Sequence, residues 1–383
     1  MNINWTNITQ ADFINHYWQQ KPVVLKNAIA NFADPIDAND LAGLAMEEVV
    51  ESRIVKQTNS KWNVQHGPFK EFDDLPEQAW SLLVQGVDRW IPEIYSLREL
   101  VNFIPKWSVD DVMVSYSAIS GGVGAHLDQY DVFIIQGSGS RQWQVGSVDK
   151  SLSQKEVVQD LLQVDDFSPI IDEVLEPGDI LYIPPFAPHC GVSLEPSLSY
   201  SIGFRAPSQT ELLTSFADFI YENEQGKTRF VNENINDSES HDSSTMSDST
   251  VNDLKNFMLE SLQNNQFEKF LHQFLTEPTR ELDILPSEQE WSEEQLSQLL
   301  QSSNIRINKV LALKTSYFID DQGLHFYCNG TYFKLIDSQQ EFVSVLHRSE
   351  SLDKSNLKSS LNQLENISLL TTLINTGYLF IDE

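Results

Sequence analysis

Gly121-Gly-Val-Gly-Ala-His126-Leu-Asp128 and, well downstream, Leu181-Tyr-Ile-Pro-Pro-Phe-Ala-Pro-His189 carry the residues on which the fold turns. Two imidazoles and one carboxylate are the ligand set of the facial triad that holds non-haem Fe(II) while leaving coordination positions open. In an extended chain, side chains at i and i+2 leave the same face. His126 and Asp128 therefore converge on one ion if residues 123–130 form a strand, and His189 must arrive from a second strand of the same barrel. A His-x-Asp pair alone is common by chance, and a lone histidine is more often a hydrogen-bonded core or surface residue. The surroundings favour the metal. Gly121, Gly122 and Gly124 mark a bulge or a close approach by another group. Glu176-Pro-Gly-Asp179 turns into the short apolar run Ile180-Leu-Tyr-Ile183, and prolines lead from there to His189.

Outward from these two stretches the period is two. Strands are predicted over 112–119, 132–135, 141–145, 170–174, 180–183, 191–194 and 198–204, with Gly137-Ser-Gly-Ser140 as a hairpin turn between the second and third. Many short strands with Gly and Pro turns imply a closed or sandwich-like β architecture. Upstream, Thr9-Gln-Ala-Asp12 reads as a helix capping box and Phe13, Tyr17 and Trp18 follow at helical spacing. Further helices are predicted over 37–50, 76–85 and 96–103. Ser208-Gln-Thr-Glu211 is a second capping box that closes the β region. Helices over 211–224, 251–262 and 267–275 should follow it, broken by a polar, acidic loop at 237–250 expected to be disordered. His241 in that loop is not expected to be a ligand. From Pro286 a helix over 291–300, an Asn329-Gly330 hairpin and helices over 339–346, 356–364 and 367–375 make a winged-helix-like set. The fold class is thus α+β, divided as 1–207, 208–285 and 286–383.

Composition limits the functions available. The chain has 383 residues, 25 Lys and Arg against 56 Asp and Glu, and a net charge of −31. Such a surface repels nucleic acid and attracts basic partners, or serves solubility alone. Winged helices often bind DNA, but residues 286–383 hold 7 Lys/Arg against 13 Asp/Glu, which favours a structural or protein-binding role. No stretch approaches the ~20 apolar residues of a membrane span, and the N-terminus lacks the basic and apolar regions of a signal peptide. Two cysteines, Cys190 and Cys328, argue against a disulfide framework and for a reducing cytoplasm. Cys190 reads as a small packed residue, since the ligand set is complete without it.

A triad holding Fe(II) leaves three coordination positions. A cosubstrate chelating through a keto-acid end fills two and leaves one for O2; its far carboxylate then needs a buried cationic fork. Arg141 is the candidate, since its side chain can re-enter the barrel with Trp143 and Val145 on the same parity. The alternative is a surface arginine paired with a nearby acid. Ser115 and Ser117 share a strand face and either supply a hydroxyl to that carboxylate or are bystanders. Tyr130 and Asp131, beside the triad, are candidate substrate contacts.

The two-part pattern resembles the cupin barrel. The long stretches 121–137 and 175–185 are similar to the bacterial JmjC-type ribosomal oxygenases, arginine hydroxylases that act on a large-subunit ribosomal protein. Tyr17-Trp18 with Lys21-Pro-Val-Val24, Gly203-Phe-Arg-Ala-Pro207 and Asn375-Thr-Gly-Tyr378 extend the resemblance over nearly the whole chain. It implies a double-stranded β-helix (cupin/JmjC) barrel, a helical dimerisation segment after Ser208 and a winged-helix-like end. It also implies Fe(II) on His126, Asp128 and His189, and 2-oxoglutarate on Arg141 with Ser115 or Ser117. The implied activity consumes O2 and 2-oxoglutarate, releases succinate and CO2, and hydroxylates an arginine of a basic ribosomal protein in the cytoplasm by a homodimeric enzyme. Ala125, where the family often has proline, and Phe186-Ala-Pro-His189, which varies the usual glycine-containing lead-in, depart from the pattern. Two rivals remain: a JmjC protein demethylase, and a non-enzymatic metal-binding cupin that uses its winged helix as an adaptor.

Overall fold

The structure is a computed structural model that describes residues 2–232, 246–302, 305–353, 357 and 363–382. Residues 237–245 of the expected acidic loop, with His241, and most of the expected helix over 356–364 lie outside the described residues. Contacts divide the chain into two compact units. One is Met1–Ala206 with Thr279–Asp283 and Val310–Ala312; the other is Pro207–Pro278 with Ile284–Lys309 and Leu313–Glu383.

The first unit is the expected two-sheet barrel. Its strands are β1 (Val23–Leu25), β2 (Ser52–Thr58), β3 (Lys61–His66), β4 (Trp80–Val84), β5 (Val109–Ser117), β6 (Val132–Gln136) and β7 (Arg141–Gly146). The chain continues through β8 (Lys155–Val158), β9 (Leu161–Gln163), β10 (Pro169–Leu175), β11 (Ile180–Ile183), β12 (His189–Ser193) and β13 (Ser197–Phe204). One sheet runs β1-β11-β6-β13-β5-β4-β2-β3; the facing sheet is β10-β7-β12, with β8-β9 as a separate ribbon.

Alternation explains why the central strands of the large sheet are buried on both faces. Phe133 and Ile135 of β6 join Tyr200 and Ile202 of β13 and Val112 and Val114 of β5 in a core that also holds Phe13, Leu41 and Leu97. Val132 and Ile134 point the other way, into the space between the sheets, against Trp143, Val145, Leu175 and Leu181. Fully burying side chains of this size contributes about 1.5–3 kcal/mol each. Phe13 is carried by α1 (Gln10–His16), where the expected capping box forms: Asp12 N–H donates to Thr9 Oγ1 at 3.0 Å and Thr9 N–H to Asp12 Oδ2 at 3.0 Å.

Five sequence expectations for this unit are corrected. Residues 76–85 do not form a helix but hold β4, paired between β2 and β5 and buried from Ser81 to Val84; burial on both faces overrides a helical spacing. The helix expected over 37–50 ends early, as α2 (Ala38–Leu44), capped by Asp37, and 96–103 holds only the 3-10 turn Ser96–Val101, after the short α3 (Pro92–Tyr95). Gly137-Ser-Gly-Ser140 makes no hairpin: β6 pairs with β11 and β13, while β7 pairs with β10 and β12, so this turn carries the chain from one sheet to the other. Residues 123–130 are not a strand; only an isolated bridge between His126 and His189 forms there.

In the second unit, α4 (Gln209–Glu222) opens with the expected Ser208–Glu211 capping box. It packs Phe216 and Phe219 on Phe270 and Phe274 of α6 (Asn265–Thr276). Between them, α5 (Asp248–Leu262) starts inside the stretch expected to be a disordered loop, because Ser247 caps it. The chain then runs α7 (Glu293–Ser302), β14 (Arg306–Lys309), β15 (Thr315–Asp320), β16 (Gly323–Cys328), β17 (Thr331–Leu335), α8 (Gln340–Arg348), β18 (Ser351–Leu352), α9 (Leu364–Asn375) and β19 (Leu379–Asp382). The hairpin at Asn329-Gly330 is as expected, with φ of 51° and 77°, the two positive values that a type I′ turn requires. Among the described residues no helix is long and apolar enough to cross a membrane.

Candidate active site

His126, Asp128 and His189 each present a ligand atom, and these atoms lie within 4.8 Å of one another. His189 Nε2 is 3.7 Å from Asp128 Oδ2 and the two imidazole centroids are 4.2 Å apart. A regular strand is not what brings them together. Instead the loop carrying His126 lies along the start of β12: His126 N–H donates to His189 O at 3.0 Å and His189 N–H to His126 O at 2.8 Å. Phe186 N–H donates to Asp128 O at 2.8 Å, which fixes the second ligand of the loop. Glycines make the approach possible. A Cβ on Gly122 would stand 2.4 Å from Gly191 O, and Gly124 has φ +83°, where a side chain is strained.

The backbone also sets the tautomers. His126 Nδ1 lies 3.0 Å from Gly124 O and His189 Nδ1 3.0 Å from Ala187 O. A carbonyl only accepts, so each Nδ1 carries the proton and each Nε2 keeps its lone pair for a metal. Burial, and next the neighbouring His126, push His189 down to about 4, so at neutral pH it is a neutral ligand.

These residues open on a cavity of ≈ 270 Å³ whose wall includes Ser115, Ser117, Tyr130, Arg141 and Trp143. Arg141 is 6% exposed. Its Nη1 donates to Ser199 Oγ at 3.3 Å and its Nη2 to Gly191 O at 3.2 Å, its guanidinium lies 5.0 Å from the Trp143 ring, and its buried Nε has no partner. Among the described residues it joins no ion pair, and burial lowers it to about 10. A buried, charged fork with a donor to spare fits a ligand carboxylate. The surface-arginine alternative is set aside by its burial. Ser117 is engaged with Ser81, Oγ to Oγ at 2.7 Å, and Ser115 lies one pleat along the same wall. Tyr130 stands beside Asp128, whose negative charge, with burial, raises the phenol well above its usual range.

Asp131 does not belong to the cavity wall. It is 2% exposed and accepts hydrogen bonds from the Tyr182 hydroxyl and from Gln19 Nε2, the latter at 3.1 Å. It therefore ties the N-terminal segment to the barrel, away from the cavity wall on which Tyr130 stands. Cys190 is half-buried, and burial raises its thiol pKa, as befits a packed residue outside the ligand set.

Models of the JmjC domain and of the ROXA-like winged helix match residues 96–212 and 252–380. The ribosomal protein uL16 3-hydroxylase of Escherichia coli is 39% identical over 385 residues, covering 100% of this chain and 99% of the relative. The chain belongs to the JmjC ribosomal oxygenases. A probable ribosomal oxygenase of Haemophilus influenzae is 31% identical, covering 94% of this chain and 91% of its own. The Escherichia coli ribosomal oxygenase solved with cobalt and 2-oxoglutarate superposes with a TM-score of 0.87 at 37% identity, covering 98% of this chain and 99% of that one. This ribosomal oxygenase is thus a homologue of 2-oxoglutarate-dependent ribosomal protein hydroxylases, built on a JmjC/cupin barrel with a winged-helix end.

Sequence reasoning missed a charged group on the same cavity wall: Arg53, Asp110, Asp111 and Arg280. Asp111 Oδ2 accepts Gly86 N–H at 2.9 Å and Arg280 Nη1 at 3.0 Å. Burial pushes the Asp111 carboxyl up to about 6 against the opposing pull of Arg280. Arg280 also donates from Nε to Glu51 at 2.6 Å and lies 3.8 Å from Asp110. Parity along β5 was the one available signal: Asp111, Met113, Ser115 and Ser117 share the inward face. Nothing in the sequence marks Arg280, which is 169 residues from its partner.

Proposed function

We propose that this protein hydroxylates an arginine side chain of the large-subunit ribosomal protein uL16, with Fe(II), O2 and 2-oxoglutarate. The supporting observation is the coincidence, in one cavity, of a three-ligand cluster and a buried guanidinium whose Nε has no partner, in a chain related over its full length to a uL16 3-hydroxylase. His126, Asp128 and His189 would hold Fe(II), and the donor set fits it: both Nε2 lone pairs are free and one carboxylate completes a face. Bound there, Fe(II) supplies the oxygen activation that couples conversion of 2-oxoglutarate to succinate and CO2 with insertion of one oxygen atom into a C–H bond.

The protein supplies position and charge. Arg141, steadied by Ser199, takes the distal carboxylate of 2-oxoglutarate, with Ser115 or Ser117 offering a hydroxyl on the same wall. Trp143, Val132 and Ile134 exclude water around it. Asp111 gives the substrate guanidinium a carboxylate inside the cavity and Tyr130 gives its alkyl stem an aromatic wall. In this reading 1–207 is the catalytic domain, 208–285 is a dimerisation region and 286–383 is a winged-helix-like module for protein rather than DNA. The enzyme works as a cytoplasmic homodimer.

Incubation with uL16, Fe(II) and 2-oxoglutarate followed by peptide mass spectrometry tests the proposal. The expected product is an arginine heavier by about 16 Da, one oxygen atom. Loss of a methylene would mean a demethylase, and no 2-oxoglutarate turnover with any candidate would mean a non-enzymatic adaptor.

A further inference from the structure

Asp111 is a buried carboxylate with its two oxygens differently used. Oδ2 is saturated by Gly86 N–H and Arg280 Nη1. Among the described residues no hydrogen bond reaches Oδ1, the oxygen that a Cβ on cavity-lining Gly203 would meet at 3.4 Å. Arg280 is itself fastened on several sides. Its Nε is held by Glu51 at 2.6 Å, its neighbour Thr279 donates from Oγ1 to Asp110 Oδ1 at 2.6 Å, and Arg89 Nη1 reaches Glu281 O at 3.4 Å. An arginine anchored by three carboxylates is a fixture of the wall, not a loose occupant that a substrate displaces.

We propose that Arg280 is a positioning residue for substrate recognition: from the segment Thr279–Asp283 it clamps one oxygen of Asp111 and keeps that carboxylate ionised, so the other oxygen stands ready for the substrate guanidinium. The inference rests on the reading that Asp111 meets the substrate arginine. Its electrostatic basis is the competition around Asp111. Burial, Asp88 and Asp110 disfavour its charge, Arg280 and Arg89 favour it, and Tyr130 faces it as a neutral phenol, while Glu51 is already held by Arg280. Removing an opposite charge in contact raises a carboxyl pKa by 1–3. If Asp111 moves from about 6 to about 8, its ionised fraction at pH 7 falls about tenfold and at pH 8 about twofold.

The test compares full-length Arg280→Gln, Arg280→Lys and Asp111→Asn with the parent, reading uL16 binding to the metal-free protein and steady-state KM and kcat with Fe(II) and 2-oxoglutarate from pH 6 to 9. Circular dichroism and melting temperature establish that each variant is folded. The expected result for Arg280→Gln is about tenfold weaker uL16 binding and higher KM at pH 7, shrinking to about twofold at pH 8, with the effect in KM rather than kcat and with Arg280→Lys restoring most of it. A purely structural brace would not produce a defect that alkali repairs. A pH-independent KM in Arg280→Gln while Asp111→Asn weakens binding overturns the inference alone. Tighter binding in Arg280→Gln overturns it too, because Arg280 would then be a competitor. If Asp111→Asn binds uL16 normally, the guanidinium reading itself fails and the inference falls with it.

Discussion

Replacing Arg141 by methionine should separate the stability of this barrel from its chemistry. In the ligand-free protein Arg141 carries its charge almost out of water, which lowers its pKa from 12.5 to about 10. Each pKa unit is worth about 1.4 kcal/mol, so the folded state bears a cost of about 3 kcal/mol for that charge. The sign follows from linkage. A cation whose folded pKa is depressed has its penalty in full at every pH below the folded value, neutral pH included, and loses it progressively as pH rises from the folded value to the unfolded one. Two hydrogen bonds from the charged guanidinium, to Ser199 and Gly191 O, offset about 3 kcal/mol of it, at about 1.5 kcal/mol each. Arg141→Met should therefore leave the metal-free, ligand-free protein about as stable as the parent, within about 1 kcal/mol or roughly 2 °C in melting temperature. The same substitution removes two charge-assisted hydrogen bonds to the cosubstrate, about 1.5–3 kcal/mol each, and so weakens 2-oxoglutarate by a hundredfold or more. Differential scanning fluorimetry with and without 2-oxoglutarate reads both effects. Saturating cosubstrate, at about 100 times its Kd, should stabilise the parent by about 2.7 kcal/mol and leave the variant unmoved. A variant that melts well below the parent, or that keeps the ligand-induced rise, would refute the reasoning, since Arg141 would then be a structural residue.

Asp128→Ala should abolish succinate formation and lower metal uptake measured by inductively coupled plasma spectrometry; normal turnover removes Asp128 from the ligand set. Gly122→Ala, whose Cβ would press on Gly191 O at 2.4 Å, should cost about 1–3 kcal/mol of stability and weaken metal binding by parting the two histidines. Unaltered melting and metal content would show that the loop can yield. Ser199→Ala should weaken 2-oxoglutarate binding by about 3–10-fold in calorimetry, the worth of one hydrogen bond that orients Arg141, and an unchanged affinity would free Arg141 from that support.

The ligands were legible because the chemistry allows few alternatives to two imidazoles and a carboxylate in this setting, and Arg141 because parity in β7 sends it inward with Trp143 and Val145. Capping boxes at Thr9 and Ser208 and the Asn329-Gly330 turn were legible because they are local, each complete within a few residues. Pairing across the barrel was not. Whether residues after Gly137 fold back on β6 or cross to the other sheet depends on β11, β12 and β13, which lie far along the chain. The run from Trp80 to Val84 lies in a stretch whose spacing reads as helical, and only the neighbouring strands make it β4. Asp111 and Arg280 are ordinary charges in a chain with 56 acids; burial in a shared cavity, invisible in sequence, is what gives them a role.

The proton on each of the two ligand histidines is held by a peptide oxygen two residues earlier in the same strand of chain. No neighbouring side chain is needed to keep these rings correctly oriented, so the surface loops around the barrel can diverge without disarming it. The vulnerability lies in the peptide planes at Gly124 and Ala187: rotation of either would unseat an imidazole with every ligand still present. A damaged enzyme of this kind would look intact in its composition and be silent in an assay.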